Sequence, residues 1–108
     1  MRPSKKVQQL IVPKYLSTPK AKLFISGHAH LLELFKEDGK YFCVIGGGGG
    51  GKQGKKTGNK QRYNDLLANA NHYRYFYCTA QLKNGALHFF VHGVNVGDWR
   101  EWSEEICF

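Results

Sequence analysis

Asn84-Gly85 separates two runs of strand-forming residues, HYRYFYCTAQL (72–82) and ALHFFVHGV (86–94). An Asn-Gly pair accepts left-handed backbone at both central positions of a two-residue turn, whose twist matches that of a β-ribbon. The pair therefore predicts a hairpin. A second turn, Glu37-Asp38-Gly39, lies between LLELF (31–35) and KYFCVI (40–45) and predicts another. LFIS (23–26), stopped by Gly27, reads as a short buried strand, and WREWSEEICF (99–108) supplies one more. Helix is confined to SKKVQQLI (4–11), with Ser4 as N-cap and Val12-Pro13 as its end, and to a turn at LLANA (66–70). The expected fold class is α+β, mostly β, with no internal repeat.

A chain of 108 residues is one small domain or a piece of a larger one. Its 42% hydrophobic content argues for a folded core rather than disorder. Cys43, Cys78 and Cys107 are too few and too scattered for a disulfide framework, and no C-x-x-C pair is present. They read as reduced, buried thiols. The start, MRPSKKVQQLIVPKYL, has prolines at 3 and 13 and no sustained apolar stretch, so neither a secretion signal nor a membrane span is expected. Together these features point to the cytoplasm. A formal charge of +8 favours anionic partners. Much of it sits in KQGKKTGNKQRYND (52–65), which reads as a basic, Gly-punctuated surface loop.

YFCVIGGGGGGKQ (41–53) runs a strand into six glycines and a lysine. Gly46, Gly51 and Lys52 have P-loop spacing, but Gln53 offers no hydroxyl for magnesium. The glycines that follow oppose the helix whose N-terminus would hold phosphate. Two readings remain: a flexible linker, or an ordered segment approached closely by another part of the chain.

SGHAH (26–30) follows the LFIS strand. In extended backbone, residues two apart point the same way and stand roughly 6.6 Å apart. His28 and His30 would then project together, and could serve one ion or two ions about 3.5–4 Å apart. The bland alternative is two exposed or hydrogen-bonded turn histidines. His72, His88 and His92 lie in aromatic-rich segments and read as structural.

The order LFISGHAH, hairpin, YFCVIGGGGGG, closing strands resembles the C-terminal part of the calcineurin-like metallophosphoesterases, especially their acid-phosphatase-like branch. The resemblance covers roughly the whole chain. It implies the C-terminal part of a four-layer α/β/β/α sandwich with two divalent ions (Fe, Zn or Mn), acting on a phosphate-ester substrate. It makes His28 a ligand of the ion shared with an asparagine and an upstream histidine, and His30 a ligand of the ion held by an Asp-x-His. It also implies that the glycines continue a strand where side chains would strike neighbouring backbone. The family's Asp-x-His, Gly-Asp-x-x-Asp and Gly-Asn-His-[Asp/Glu] motifs do not precede His28. Gly58-Asn59-Lys60 and Gly97-Asp98-Trp99 are faint echoes on the wrong side of it.

Two imidazoles are fewer than the three protein ligands usual at a catalytic zinc. No phosphatase turnover is expected of the chain alone. It reads as a truncated gene model, a separately expressed segment or one half of a split enzyme, with the missing N-terminal half as a partner. The apolar faces of LFIS, YFCVI and HYRYFYC are expected to seek cover or aggregate.

A rival class is a non-enzymatic module binding nucleic acid or another polyanion. Lys52, Lys55, Lys56, Lys60 and Arg62 would supply charge, and Tyr73, Tyr75 and Tyr77 would supply stacking from one strand face. No RNP-like motif accompanies them, which leaves nucleic acid the weaker expectation.

Overall fold

A computed structural model describes residues 4–51, 64–70 and 72–108. The fold is α+β and mostly β. Among the described residues six strands are formed: β1 (Leu23–Ser26), β2 (Leu32–Glu37), β3 (Lys40–Ile45), β4 (Tyr75–Lys83), β5 (Ala86–Val94) and β6 (Glu101–Ile106). They make two three-stranded sheets, ordered β1-β3-β2 and β4-β5-β6.

Both hairpins close where the turn chemistry places them. Asp38 and Gly39 have φ of 51° and 74°, and Asn84 and Gly85 have 51° and 76°. Asp and Asn tolerate this region because a short polar side chain can bond locally. The second turn fixes Lys83 opposite Ala86 and hence Tyr77 opposite His92. The sequence did not reveal that β1 pairs with β3, and does so in parallel, with Leu23 beside Tyr41 and Ser26 beside Val44.

The sheets share one core. Leu32, Leu34 and Cys43 from the first sheet meet Phe76, Phe89, Val91 and Ile106 from the second, with Leu67, Ala70 and Tyr73 closing the cluster. Gly47, just beyond β3, accepts the Phe76 amide at 3.1 Å and ties the two sheets together.

The N-terminal helix departs from expectation. Ser4 does cap it, its Oγ accepting the Val7 amide at 3.3 Å. The chain then stays helical past Pro13, through a π-register segment (Val7–Ile11) into α1 (Val12–Ser17). The Val12 amide bonds back to the Val7 carbonyl, five residues away, and Pro13 falls in the first turn of α1. Proline is tolerated there because its missing N–H would have no helical partner.

This helix lies on the outer face of the first sheet. Tyr15 packs edge-on against Phe24 at 5.5 Å and Phe42 at 5.1 Å, and its hydroxyl donates to the Tyr41 carbonyl at 2.7 Å. Lys40, buried although charged, sets its ammonium 5.1 Å from the Tyr15 ring and donates to the carbonyls of Thr18 and Ala21. No described helix is long and apolar enough to cross a membrane.

Three further expectations need correction or fall outside the described residues. Cys43 is buried and Cys78 partly so, but Cys107 follows the last strand into solvent and is exposed. The segment 52–65 does not end as a surface loop. Asp65 is buried, because its Oδ1 accepts the amides of Leu34 and Leu67, both at 3.0 Å. Residues 52–63, including Lys52, Lys55, Lys56, Lys60, Arg62 and the Gly58-Asn59-Lys60 echo, lie outside the described residues.

Candidate metal-ligand loop at the strand ends

Because β1 and β3 run in parallel, the loops leaving their carboxyl ends emerge on the same side. One is Gly27-His28-Ala29-His30-Leu31, and the other is the glycine run from Gly46. Loops at the carboxyl ends of adjacent parallel strands are a recurrent place for ligands.

The histidine loop is not extended, so the side-by-side projection expected of alternating strand residues does not apply. His28 has φ of 71°. The Ala29 amide bonds the Gly27 carbonyl and the Leu31 amide bonds the Ala29 carbonyl, each at 2.9 Å. These are two successive three-residue γ-turns, the first of the rare positive-φ kind. A non-glycine residue held this way costs about 1–3 kcal/mol and persists only when its surroundings impose it.

The glycine run packs directly against this turn. A Cβ on Gly46 would lie 2.2 Å from the Ala29 carbonyl oxygen and 3.1 Å from the His28 nitrogen, both backbone atoms. The Gly46 amide donates to the Leu31 carbonyl at 3.2 Å. A Cβ on Gly47 would meet the Phe76 ring at 2.8 Å, and one on Gly50 would lie 2.3 Å from the His30 ring. Gly48, Gly49 and Gly51 face open space. Of the two readings left open, close approach holds at Gly46, Gly47 and Gly50, and the intervening glycines have no steric requirement.

Ala29 is the buried foot of the loop, His28 is exposed and His30 is half-buried. The Nδ1 of His30 lies 2.9 Å from the Gly51 carbonyl. A carbonyl only accepts, so Nδ1 carries the proton. In the neutral ring the lone pair is then on Nε2, and a backbone anchor of this kind is typical of metal-binding histidines.

Among the described residues, no three or more His, Cys, Asp or Glu side chains come together to hold a metal ion. Two imidazoles alone do not fit as a complete site.

The remaining histidines are partnered, as expected of structural residues. His88 Nδ1 meets Glu105 at 2.8 Å. His92 lies between the hydroxyls of Thr79 at 2.9 Å and Ser103 at 2.7 Å, under the stacked Tyr77 ring at 4.4 Å. His72 stacks on Tyr73 at 4.2 Å.

The tyrosine platform is not formed as the alternation suggested. Tyr73 precedes β4 and is buried, with a Gly93 Cβ position 2.9 Å from its ring and Trp102 stacked at 6.1 Å. Tyr77 is exposed on the outer face, where His92 already covers one side of its ring.

Asp65 and the Thr79–His92–Ser103 row escaped the sequence reading. Asp65 had a usable signal, since an Asp ahead of a helical turn favours an Asx-turn to the amide two residues on. Ser103 had none, because no tight turn fixes the register of β6. Comparison of the chain with protein-family models, with curated proteins and with solved structures yields no match.

Proposed function

We propose that this chain is the C-terminal segment of a metal-dependent phosphoesterase and contributes His28 and His30 to a metal site completed by other residues. The observation that carries the reading is the clamped loop. A strained γ-turn at His28 and a backbone-anchored His30 ring are held against glycines that leave no room for a Cβ. Strain maintained at this cost is more intelligible at a binding site than in an idle turn. The helix–sheet–sheet order, with Tyr15 on the outer face of the first sheet, is compatible with part of a four-layer α/β/β/α sandwich.

In this reading the chain's own residues bind and orient. Gly51 fixes the His30 tautomer, and Gly46 fixes the path of the loop that carries both histidines beyond the carboxyl end of β1. His28 and His30 would hold divalent ions together with residues from outside this chain, and such ions would supply Lewis-acid activation and charge stabilisation for phosphate-ester hydrolysis. The two imidazoles lack the bridging carboxylate such a site needs, so the segment alone is expected to show no turnover of an aryl phosphate.

The test is a titration of the purified chain with Mn²⁺ followed by proton NMR. The His28 and His30 imidazole resonances should broaden at lower metal than those of His72, His88 and His92, and His30→Ala should remove the effect at His28. Uniform broadening of all five, or broadening led by His88, would withdraw the site. Metal-dependent hydrolysis abolished by His30→Ala would refute the partial-site argument while keeping the ligand.

A further inference from the structure

The interior between the two sheets is open along one flank. Leu23 and Ile25 stand in register with Tyr41 and Cys43, on the row that faces the shared core. Yet Ile25 is 48% exposed. Opposite it lie Leu87, Phe89 and Phe108, and the gap forms a mostly apolar groove of about 560 Å³ with Lys20 and Lys22 along its margin.

The same flank carries an unused sheet edge. β1 is the terminal strand of the order β1-β3-β2, and among the described residues no strand pairs with its outer side. The outer edge of β2, by contrast, is covered where Leu34 bonds Asp65 and Leu66. An open edge beside an apolar groove is the geometry of strand addition, in which backbone bonds give affinity and alternate side chains fill pockets.

Charge selects the occupant. A second copy would set two chains, each of formal charge +8, against one another. An acidic strand would complement both lysines and reach the surface faster.

We infer that this flank accepts an extended acidic segment of a partner polypeptide. The segment adds to the outer edge of β1, sets alternate apolar side chains in the groove and places carboxylates beside Lys20 and Lys22. The inference rests on the edge and the groove, independently of the histidine loop, and stands or falls separately from the metal reading.

A fluorescein-labelled peptide of about nine residues, alternating valine with glutamate, tests it by fluorescence anisotropy against the intact chain. The acidic peptide should bind at least tenfold more tightly than its lysine-for-glutamate counterpart. The double variant Lys20→Glu, Lys22→Glu, altered only at exposed positions, should reverse that preference. Proline at alternate peptide positions, which removes backbone donors, should abolish binding, and serine in place of valine should weaken it at least tenfold. No binding, indifference to charge sign, or equal binding by the proline or serine peptides would overturn the inference. Sedimentation as a dimer would overturn it in favour of a second copy, and displacement of the peptide by decanoate at stoichiometric concentration would favour an acyl anion.

Discussion

Gly46→Ala separates a packed glycine run from a slack one. The new methyl would start 2.2 Å from the Ala29 carbonyl oxygen and 2.9 Å from its carbon. Real Cβ atoms do not approach backbone so closely, and neither atom can rotate away as a side-chain tip could. The histidine loop must therefore lift from the end of β3. Overpacking of this kind costs about 1–3 kcal/mol. Lifting the loop also loses the Gly46–Leu31 hydrogen bond, a further ~0.5–1.5 kcal/mol. The expected loss is about 1.5–4.5 kcal/mol, a large fraction of the roughly 5–15 kcal/mol that holds a small domain together. With a urea dependence of about 1.5 kcal/mol per molar, the unfolding midpoint should fall by about 1–3 M. Gly48→Ala is the matched control. Its Cβ meets nothing within 4 Å and its φ lies outside the left-handed range. Reduced entropy of the unfolded chain should then raise stability by about 0.4–1 kcal/mol. Urea titrations followed by tryptophan fluorescence measure both. Equal midpoints for the two variants would show that the loop does not rest on Gly46, and the clamp invoked for His28 would lose its basis.

Gly50→Ala should act differently, since the obstructing atoms belong to the His30 side chain, 2.3 Å away; the ring can turn aside, so stability should change little while the His30 Nδ1 proton loses its hydrogen-bonded NMR shift. Burial pushes the Cys43 thiol up to about 12, with Cys78 and Asp65 adding repulsion; native protein at pH 8 should therefore leave Cys43 unlabelled by a maleimide that modifies the exposed Cys107 quickly. The unfolded thiol ionises from its ordinary value near 9 while the folded one keeps its proton, so this contribution is complete below pH 9 and declines as pH rises toward 12, a decline that Cys43→Ala should flatten in urea titrations at successive pH values. Asp65→Ala strands the buried Leu34 and Leu67 amides and should cost about 2–4 kcal/mol; a melting temperature no lower than that of the exposed control Asp98→Ala would refute the bracing role of Asp65. Binding of a single-stranded oligonucleotide should be unaffected by Tyr77→Ala, because His92 already covers one face of that ring, and a tenfold loss would reinstate a stacking platform.

The legible parts of the fold were those governed by interactions a few residues apart. Asp38-Gly39 and Asn84-Gly85 demand left-handed backbone, and that demand alone sets the β2–β3 and β4–β5 pairings residue by residue. The glycine run could be narrowed to two readings but not resolved, because the obstructions at Gly46 and Gly47 come from Ala29 and Phe76, far away in sequence. The parallel pairing of β1 with β3 had no local signature either. The γ-turn at His28 was illegible for a related reason. Gly-His-Ala-His does not dictate positive φ over extended backbone, and the close approach of Gly46 to this loop comes from a distant part of the sequence. Proline misled at the helix, since Pro13 stops a continuous α-helix but sits comfortably after a π segment that restarts the hydrogen-bond register.

The two proposed sites lie along one strand and make different demands on it. At its carboxyl end, β1 must hold Gly27 and His28 still enough for a strained turn to persist, and the parallel partner β3 with its glycine extension does that from one side. Along its outer edge, the same four-residue strand has no paired strand among the described residues. An edge strand this short frays more readily than a central one, and fraying at Ser26 would release the Gly27 carbonyl that closes the His28 turn. An added strand would suppress that fraying and make the histidine loop more rigid without touching either imidazole. Coupling of this form needs a ligand that distinguishes the two states of β1. The acidic peptide is such a ligand, because it can add to a formed edge and not to a frayed one. Mn²⁺ affinity at His28 and His30 should therefore rise when the flank is occupied, and by linkage the peptide should bind more tightly with metal present, by the same factor.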